Sequence, residues 1–272
     1  MRGNHDTKQE RATSLAETLF AGDEAAALSL RRVSMRFGSL VALQDISLTV
    51  PEAGRHAILG ANGAGKTTLF NCITGDLVPS GGRIQMFSED ITRLPAHQRI
   101  RRGLRRTYQT SLVFPELSVL DNLFLAEQGV HGGRQSFLWV APDNPHRQRA
   151  QELAEFVGLE SWIGTLAGEL SHGQKRQLEI GMALAGQPRL VLFDEPAAGL
   201  SQSERGRLRE ILFGLPRSIT FVIIEHDLEV ALSVADRITV LHQGAFFRSG
   251  TPAEIEADES VQEIYLGRRS DE

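Results

Sequence analysis

From residue 28 the chain alternates apolar with polar positions in short runs. Leu28, Leu30, Val33, Met35 and Phe37 are separated by polar residues, and residues 40–43 and 46–50 continue the pattern. A partial period of two over such short runs predicts strands, and their succession predicts an antiparallel β edge. Ala57, Ile58 and Leu59 are continuously apolar and predict a buried strand, with a helix following Lys66. Gly81-Gly82 predicts a turn and residues 83–87 a further strand.

The period then changes. Ser118 and Asp121 have the look of a capping box and open an apolar-periodic helix to about residue 128. Gly129, Gly132, Gly133, Pro142 and Pro145 predict a loop over residues 129–145. Leu153, Phe156 and Val157 form the stripe of a helix over 146–157. Residues 110–172 therefore read as a helical subdomain inserted between two α/β segments. Beyond it, strands over 190–193, 219–224 and 238–242 alternate with helices over 202–213 and 227–235, the order of a parallel sheet covered by helices on both faces. Thr251, Pro252 and Glu254 predict the start of a terminal helix running to about residue 266. The expected organisation is an arm over 1–27, one α/β domain over 28–267 and a tail over 268–272. Within the domain, residues 28–109 and 173–267 form the core with its β edge, and 110–172 form the insert.

Between the strand at 57–59 and the helix after Lys66 stand Gly60, Ala61, Asn62, Gly63, Ala64, Gly65, Lys66, Thr67 and Thr68. Gly60, Gly65, Lys66 and Thr67 satisfy the spacing of a phosphate-binding loop. Its backbone N–H groups wrap phosphates, its lysine reaches the β/γ oxygens and its hydroxyl holds Mg²⁺. The helix after Lys66 presents its positive end to the same phosphates. This predicts a P-loop (RecA-like) core that binds a nucleoside triphosphate. A phosphate loop alone leaves kinase, GTPase and ATPase open. The apolar run Leu190, Val191, Leu192, Phe193 ends in Asp194 and Glu195, which supplies what the loop needs at the carboxyl end of a sheet. Asp194 is expected to hold Mg²⁺, directly or through water, and Glu195 to act as general base on the attacking water.

Composition narrows the field. The chain has 272 residues, 41% of them apolar, enough to bury a full core. The net charge of −5 argues against general nucleic-acid binding. The basic run over 95–106 has no interleaved aromatic residues to stack bases, so it reads as a solvated helix face. Cys72 is the single cysteine, which excludes an internal disulfide and suggests a reducing compartment. Its place in the helix after Lys66 reads as a small core residue. The eight histidines form no metal-ligand spacing. No apolar run reaches the roughly 20 residues that span a bilayer, and the N-terminus lacks a signal-peptide pattern. A cytoplasmic protein is expected, with any membrane role supplied by a partner.

Leu170, Ser171, His172, Gly173 and Gln174, followed by a helix, resemble the signature of the ATP-binding cassette (ABC) ATPases, usually Leu-Ser-Gly-Gly-Gln. The other motifs fall in that family's order over roughly residues 28–267. By this resemblance Phe37 stacks on adenine. Gln109 links Mg²⁺ and the attacking water to a membrane partner. Residues 198–201 cross a dimer seam, and His226 contacts the γ-phosphate. Ser171, Gly173 and Gln174 cap ATP held by a second cassette subunit, so that two subunits enclose two nucleotides head to tail. His172 departs from the usual glycine and makes the backbone there less permissive.

Several stretches are similar to the ATPases of branched-chain and related amino-acid importers: Arg106 to Gln109, residues 114–123, Gln177 to Ile180, residues 194–200 and residues 264–267. The Ser171-His172-Gly173-Gln174 form resembles urea-type relatives. The resemblance implies membrane permease subunits, an external solute-binding protein acting indirectly, and a second ATPase that is a copy or a sibling. It places the chain on the inner face of the cell membrane, with no nucleic-acid partner. The rival within the family is the ATPase of lipopolysaccharide extraction. Outside it stand a soluble non-transport cassette and an ATP sensor without turnover.

Overall fold

The computed structural model describes residues 26–108, 112–131 and 144–266. The expected arm and tail and Gln109 lie outside the described residues, as does most of the predicted 129–145 loop. The β edge is a hairpin of β1 (Ala26–Phe37) and β2 (Leu40–Pro51), flanked by β4 (Gly81–Met86) and β5 (Glu89–Asp90), all antiparallel. The core strands β3 (Arg55–Leu59), β7 (Leu190–Asp194), β8 (Thr220–Glu225) and β9 (Arg237–His242) pair in parallel, with the short β6 (Leu104–Arg106) outside β7. With β10 (Ala245–Gly250) joining the two parts, the strand order is β5-β4-β1-β2-β10-β9-β3-β8-β7-β6.

Strands β3, β7 and β8 are buried along their whole length, which is why their central residues 57–59, 190–193 and 221–224 read as unbroken apolar runs. Their side chains alternate between two cores. Ile58, Leu190, Leu192, Val222 and Ile224 pack with Leu69, Phe70 and Ile73 of α1 (Lys66–Thr74). Ala57, Leu59, Val191, Phe193, Phe221 and Ile223 face the other way, into one cluster with the helical insert. The insert comprises α3 (Val119–His131), α4 (Pro145–Phe156) and α5 (His172–Leu184), which follow α2 (Ala96–Arg101) in the chain. Leu123, Leu153, Val157 and Leu178 supply its apolar stripes. Helices α6 (Gln202–Gly214), α7 (Leu228–Val234), α8 (Pro252–Glu256) and α9 (Glu259–Leu266) complete the second half.

Three expectations need correction. The basic run is only in part a solvated face: His97 and Arg101 are exposed, but two of its arginines are covered. Arg99 is fully buried and donates to the carbonyls of Cys72 and Ile73 at 2.7 Å each, and to those of Leu94 and Thr92. It therefore satisfies carbonyls that the end of α1 leaves unpaired. Arg106 of the same run is buried against Asp194. The terminal helix is two helices, because Asp258 accepts the backbone N–H of Ser260 and Val261 and so caps a new start. Strand β10 was unforeseen. It forms a hairpin with β9 through Gln243 and Gly244, both at positive φ (48° and 77°), the conformation that a tight hairpin turn needs.

Candidate functional site

The phosphate loop joins β3 to α1 and is built to leave amides open. Gly65 caps α1 at φ 94° without a side chain to bond the first turn, which also has no acidic residue. A Cβ there would lie 2.8 Å from the Ala42 carbonyl and from Leu43 Cδ2, so the loop fits against β2 only as glycine. Asn62, Gly63 and Thr67 are exposed and Thr68 is half-buried, around an uncapped helix end that suits an anion. Lys66 is buried, and its Nζ donates to the carbonyls of Gly60 (2.7 Å) and Ala61 (3.3 Å). Burial lowers its pKa, while the charges of Glu195, Asp194 and Glu225 act to raise it.

Those carboxylates sit at the carboxyl ends of β7 and β8. Asp194 Oδ2 accepts from Arg106 at 2.7 Å, in a pair whose side chains are 5% and 1% exposed, and the Asp194 N–H donates to Thr107 Oγ1. Arg106 also donates to Asn71 Oδ1 on α1 at 2.6 Å and lies over the Tyr108 ring. Asp194 Oδ1 is buried with no hydrogen-bond partner. Such an orphaned carboxylate oxygen, with the Thr67 hydroxyl nearby in sequence to the phosphate cradle, suits a hard cation. Among the described residues no three His, Cys, Asp or Glu side chains gather for a metal. Glu195 follows in the left-handed region (φ 48°), a conformation that costs a non-glycine residue about 1 kcal/mol or more and is frequent where side chains are aimed for function.

Glu225 is a functional candidate that sequence reasoning missed. It is fully buried beside the same turn, and its Oε1 accepts the N–H of Ala197 at 2.9 Å. Desolvation raises its pKa to about 7, against the opposing bonds from the backbone of Ala197, Asp227 and His226. Its signal was present: the apolar run 221–224 ends in a carboxylate just as the run before Asp194 does. His226, next in the chain, is exposed ahead of α7. Phe37 is 47% exposed at the tip of the β1–β2 hairpin, so its ring is open for stacking.

Ser171, Gly173 and Gln174 form the start of α5. Gln174 N–H donates to Ser171 Oγ (3.2 Å) and Ser171 N–H to Gln174 Oε1 (2.9 Å), a closed capping box. Gly173 packs closely on Glu204, whose pKa is lowered chiefly by the hydroxyl and N–H of Ser201. Among the described residues, no hydrogen bond or ion pair joins residues 171–174 to residues 60–68. The structure thus gathers Lys66, Asp194, Glu195 and Glu225 at one end of the sheet and keeps the capped start of α5 separate.

A profile described as "ABC transporter" matches residues 43–198, more than half of the chain. The chain belongs to the ABC transporter family. As an ABC ATPase it binds and hydrolyses ATP, and its mixed sheet with an antiparallel edge and helices is that family's fold. It is 37% identical over 248 residues to the high-affinity branched-chain amino acid transport ATP-binding protein BraF of Pseudomonas aeruginosa, covering 88% of this chain and 97% of that one. It is 36% identical, with the same coverage, to LivG of Escherichia coli K12, named for the same transport. Among solved structures it is similar to the ADP conformation of MJ1267, an ATP-binding cassette of an ABC transporter. That match has a TM-score of 0.80 and 32% identity, and covers 89% of this chain and 99% of that one. No described helix of this cassette is long and apolar enough to cross a membrane.

Proposed function

We propose that this cassette is the ATP-hydrolysing subunit of an importer for branched-chain amino acids or related small polar solutes. Lys66 and the amides of residues 62–68 bind the phosphates, and Phe37 stacks on adenine. Thr67 and Asp194, with Gln109, hold Mg²⁺, which neutralises phosphate charge. Glu195 takes the proton of the attacking water, and His226 meets the γ-phosphate. The observation that carries the reading is the uncapped start of α1 over the buried Lys66, set against Asp194 and Glu195 at the strand ends. Identity of 36–37% along 88% of the chain to BraF and LivG supports the amino-acid assignment.

A lone subunit lacks a lid for its own nucleotide, and the start of α5 is an anion-binding end turned to no phosphate of its own. In this reading a second cassette subunit, copy or sibling, supplies that lid head to tail. The membrane partners are permease subunits, which place the cassette on the inner face of the membrane and connect it indirectly to an external solute-binding protein. Exposed Leu112, Phe114, Trp162 and Leu166 support a docking face on the insert, where residues 117–120 pair with 163–167. Such a group of exposed apolar side chains suits a partner. The test is co-expression with candidate permeases: co-purification and solute-stimulated ATP turnover are expected. An active enzyme that stays out of the membrane fraction with every permease would contradict the transport role. Turnover surviving in both Glu195→Gln and His226→Ala would contradict the site.

A further inference from the structure

His172 is the one signature position where this chain departs from the usual glycine, and its side chain has a specific place to go. In the tautomer with hydrogen on Nε2, the ring donates to the carbonyl of Ala198 at 3.2 Å. The N–H of that same Ala198 donates to the carbonyl of Glu195 at 3.1 Å, and Leu200 N–H closes the next step onto Ala197 at 3.2 Å. The turn that carries Glu195 is therefore held from one side by the bond to Ile224 (3.0 Å) and from the other by the imidazole at the start of α5. The fit is close: a Cβ on Gly199, which sits at φ 74°, would lie 3.1 Å from His172 Nε2. Beside it Gly173 packs on Glu204 of α6, whose side chain leaves no room for a Cβ there.

We infer that His172 is a positioning residue for Glu195. It fastens the start of the signature helix to the turn after the candidate general base, so that seating an anion at one reaches the other. The inference rests on Glu195 acting as proposed above. A glycine at position 172 has no such donor, so this chain couples the two elements through a side chain that the common signature lacks. His172 itself is exposed, so replacing it removes the tie without opening the core.

Hydrogen exchange on the full chain without nucleotide tests the tie, with His172→Ala, His172→Gly and His172→Gln, the last keeping a donor amide at the reach of Nε2. Amides of residues 197–201 are expected to exchange roughly three- to ten-fold faster in the Ala and Gly variants, the size of one half-exposed hydrogen bond, with the Gln variant near the parent. Strand β8 should be unchanged in all. Unchanged exchange over 197–201 in His172→Ala would overturn the inference. So would equal acceleration in His172→Gln, or acceleration that spreads equally into β8. In steady-state assays the Ala variant should lose several-fold in kcat with KM for ATP nearly unchanged, and the Gln variant should recover it. A kcat equal to the parent's would overturn the role even with a loosened turn. Loss of turnover in the parent itself would count against the proposed function, while the exchange data would still decide the tie.

Discussion

The first turns of α1 and α5 start with the same set of unpaired amides and end in opposite states. At α1 the cap is Gly65, with no side chain to offer, and the turn is left open above Lys66. At α5 the cap is Ser171, whose hydroxyl takes the Gln174 N–H while Gln174 returns a bond to the Ser171 N–H. One end is left uncapped by omitting a side chain, an arrangement that suits an anion. The other is already satisfied and can take an anion only by sharing donors. The difference separates the subunit's own nucleotide site from the surface it would lend to a neighbour.

Removing the cation from the open end should have the largest effect. Lys66→Ala is expected to lower kcat/KM for ATP by at least about 100-fold, measured by phosphate release, because a preorganised donor to transferred phosphate is lost. Closing the open end comes next. Gly65→Ala places a Cβ against Ala42 and Leu43 in left-handed backbone, and urea unfolding should show a loss of about 2–4 kcal/mol. A Gly65→Ala protein as stable as its parent would mean that the loop is not fitted to β2.

The charge around the open end has its own signature in pH. Glu225 has a folded pKa raised from 4.5 to about 7, so the folded chain holds this proton more tightly than the unfolded chain. Its contribution is fully present below about pH 4.5 and is lost as pH rises to about 7. The difference amounts to at most about 3 kcal/mol. Glu225→Gln keeps the acceptor for Ala197 and stays neutral. It should flatten this slope and be more stable than the parent above pH 7 in thermal melts. The closed end should give the smallest change: Ser171→Ala loses a cap worth about 1 kcal/mol. It should leave binding of a fluorescent ATP analogue to the single subunit unchanged, since Ser171 makes no contact with the phosphate loop.

Much of this arrangement was legible in the sequence because it is local. The glycine spacing of the loop, the apolar run ending at Asp194 and the signature each fit within a few residues. What escaped depends on long-range placement. The run over 95–106 looks like surface because arginine is seldom buried, yet Arg99 is covered by closing the carbonyl end of α1 and Arg106 by pairing with Asp194. Both partners lie in other elements, which no local pattern reveals. Strand β10 was hidden because Ala245, Phe246 and Phe247 carry little alternation, although the Gln243-Gly244 turn offered a hint. Glu225 needed its neighbour across the sheet, Asp194 beside Ile224, before its role beside the site could be seen.

The central claim is that one subunit holds the cradle and another the lid. Light scattering on Glu195→Gln in saturating ATP and magnesium, alone and with a sibling cassette subunit, addresses it most directly. A species of two cassettes that forms with ATP and disperses when Lys66→Ala is added to the same chain is the predicted result. A chain that is fully loaded with ATP yet remains single under both conditions would contradict it.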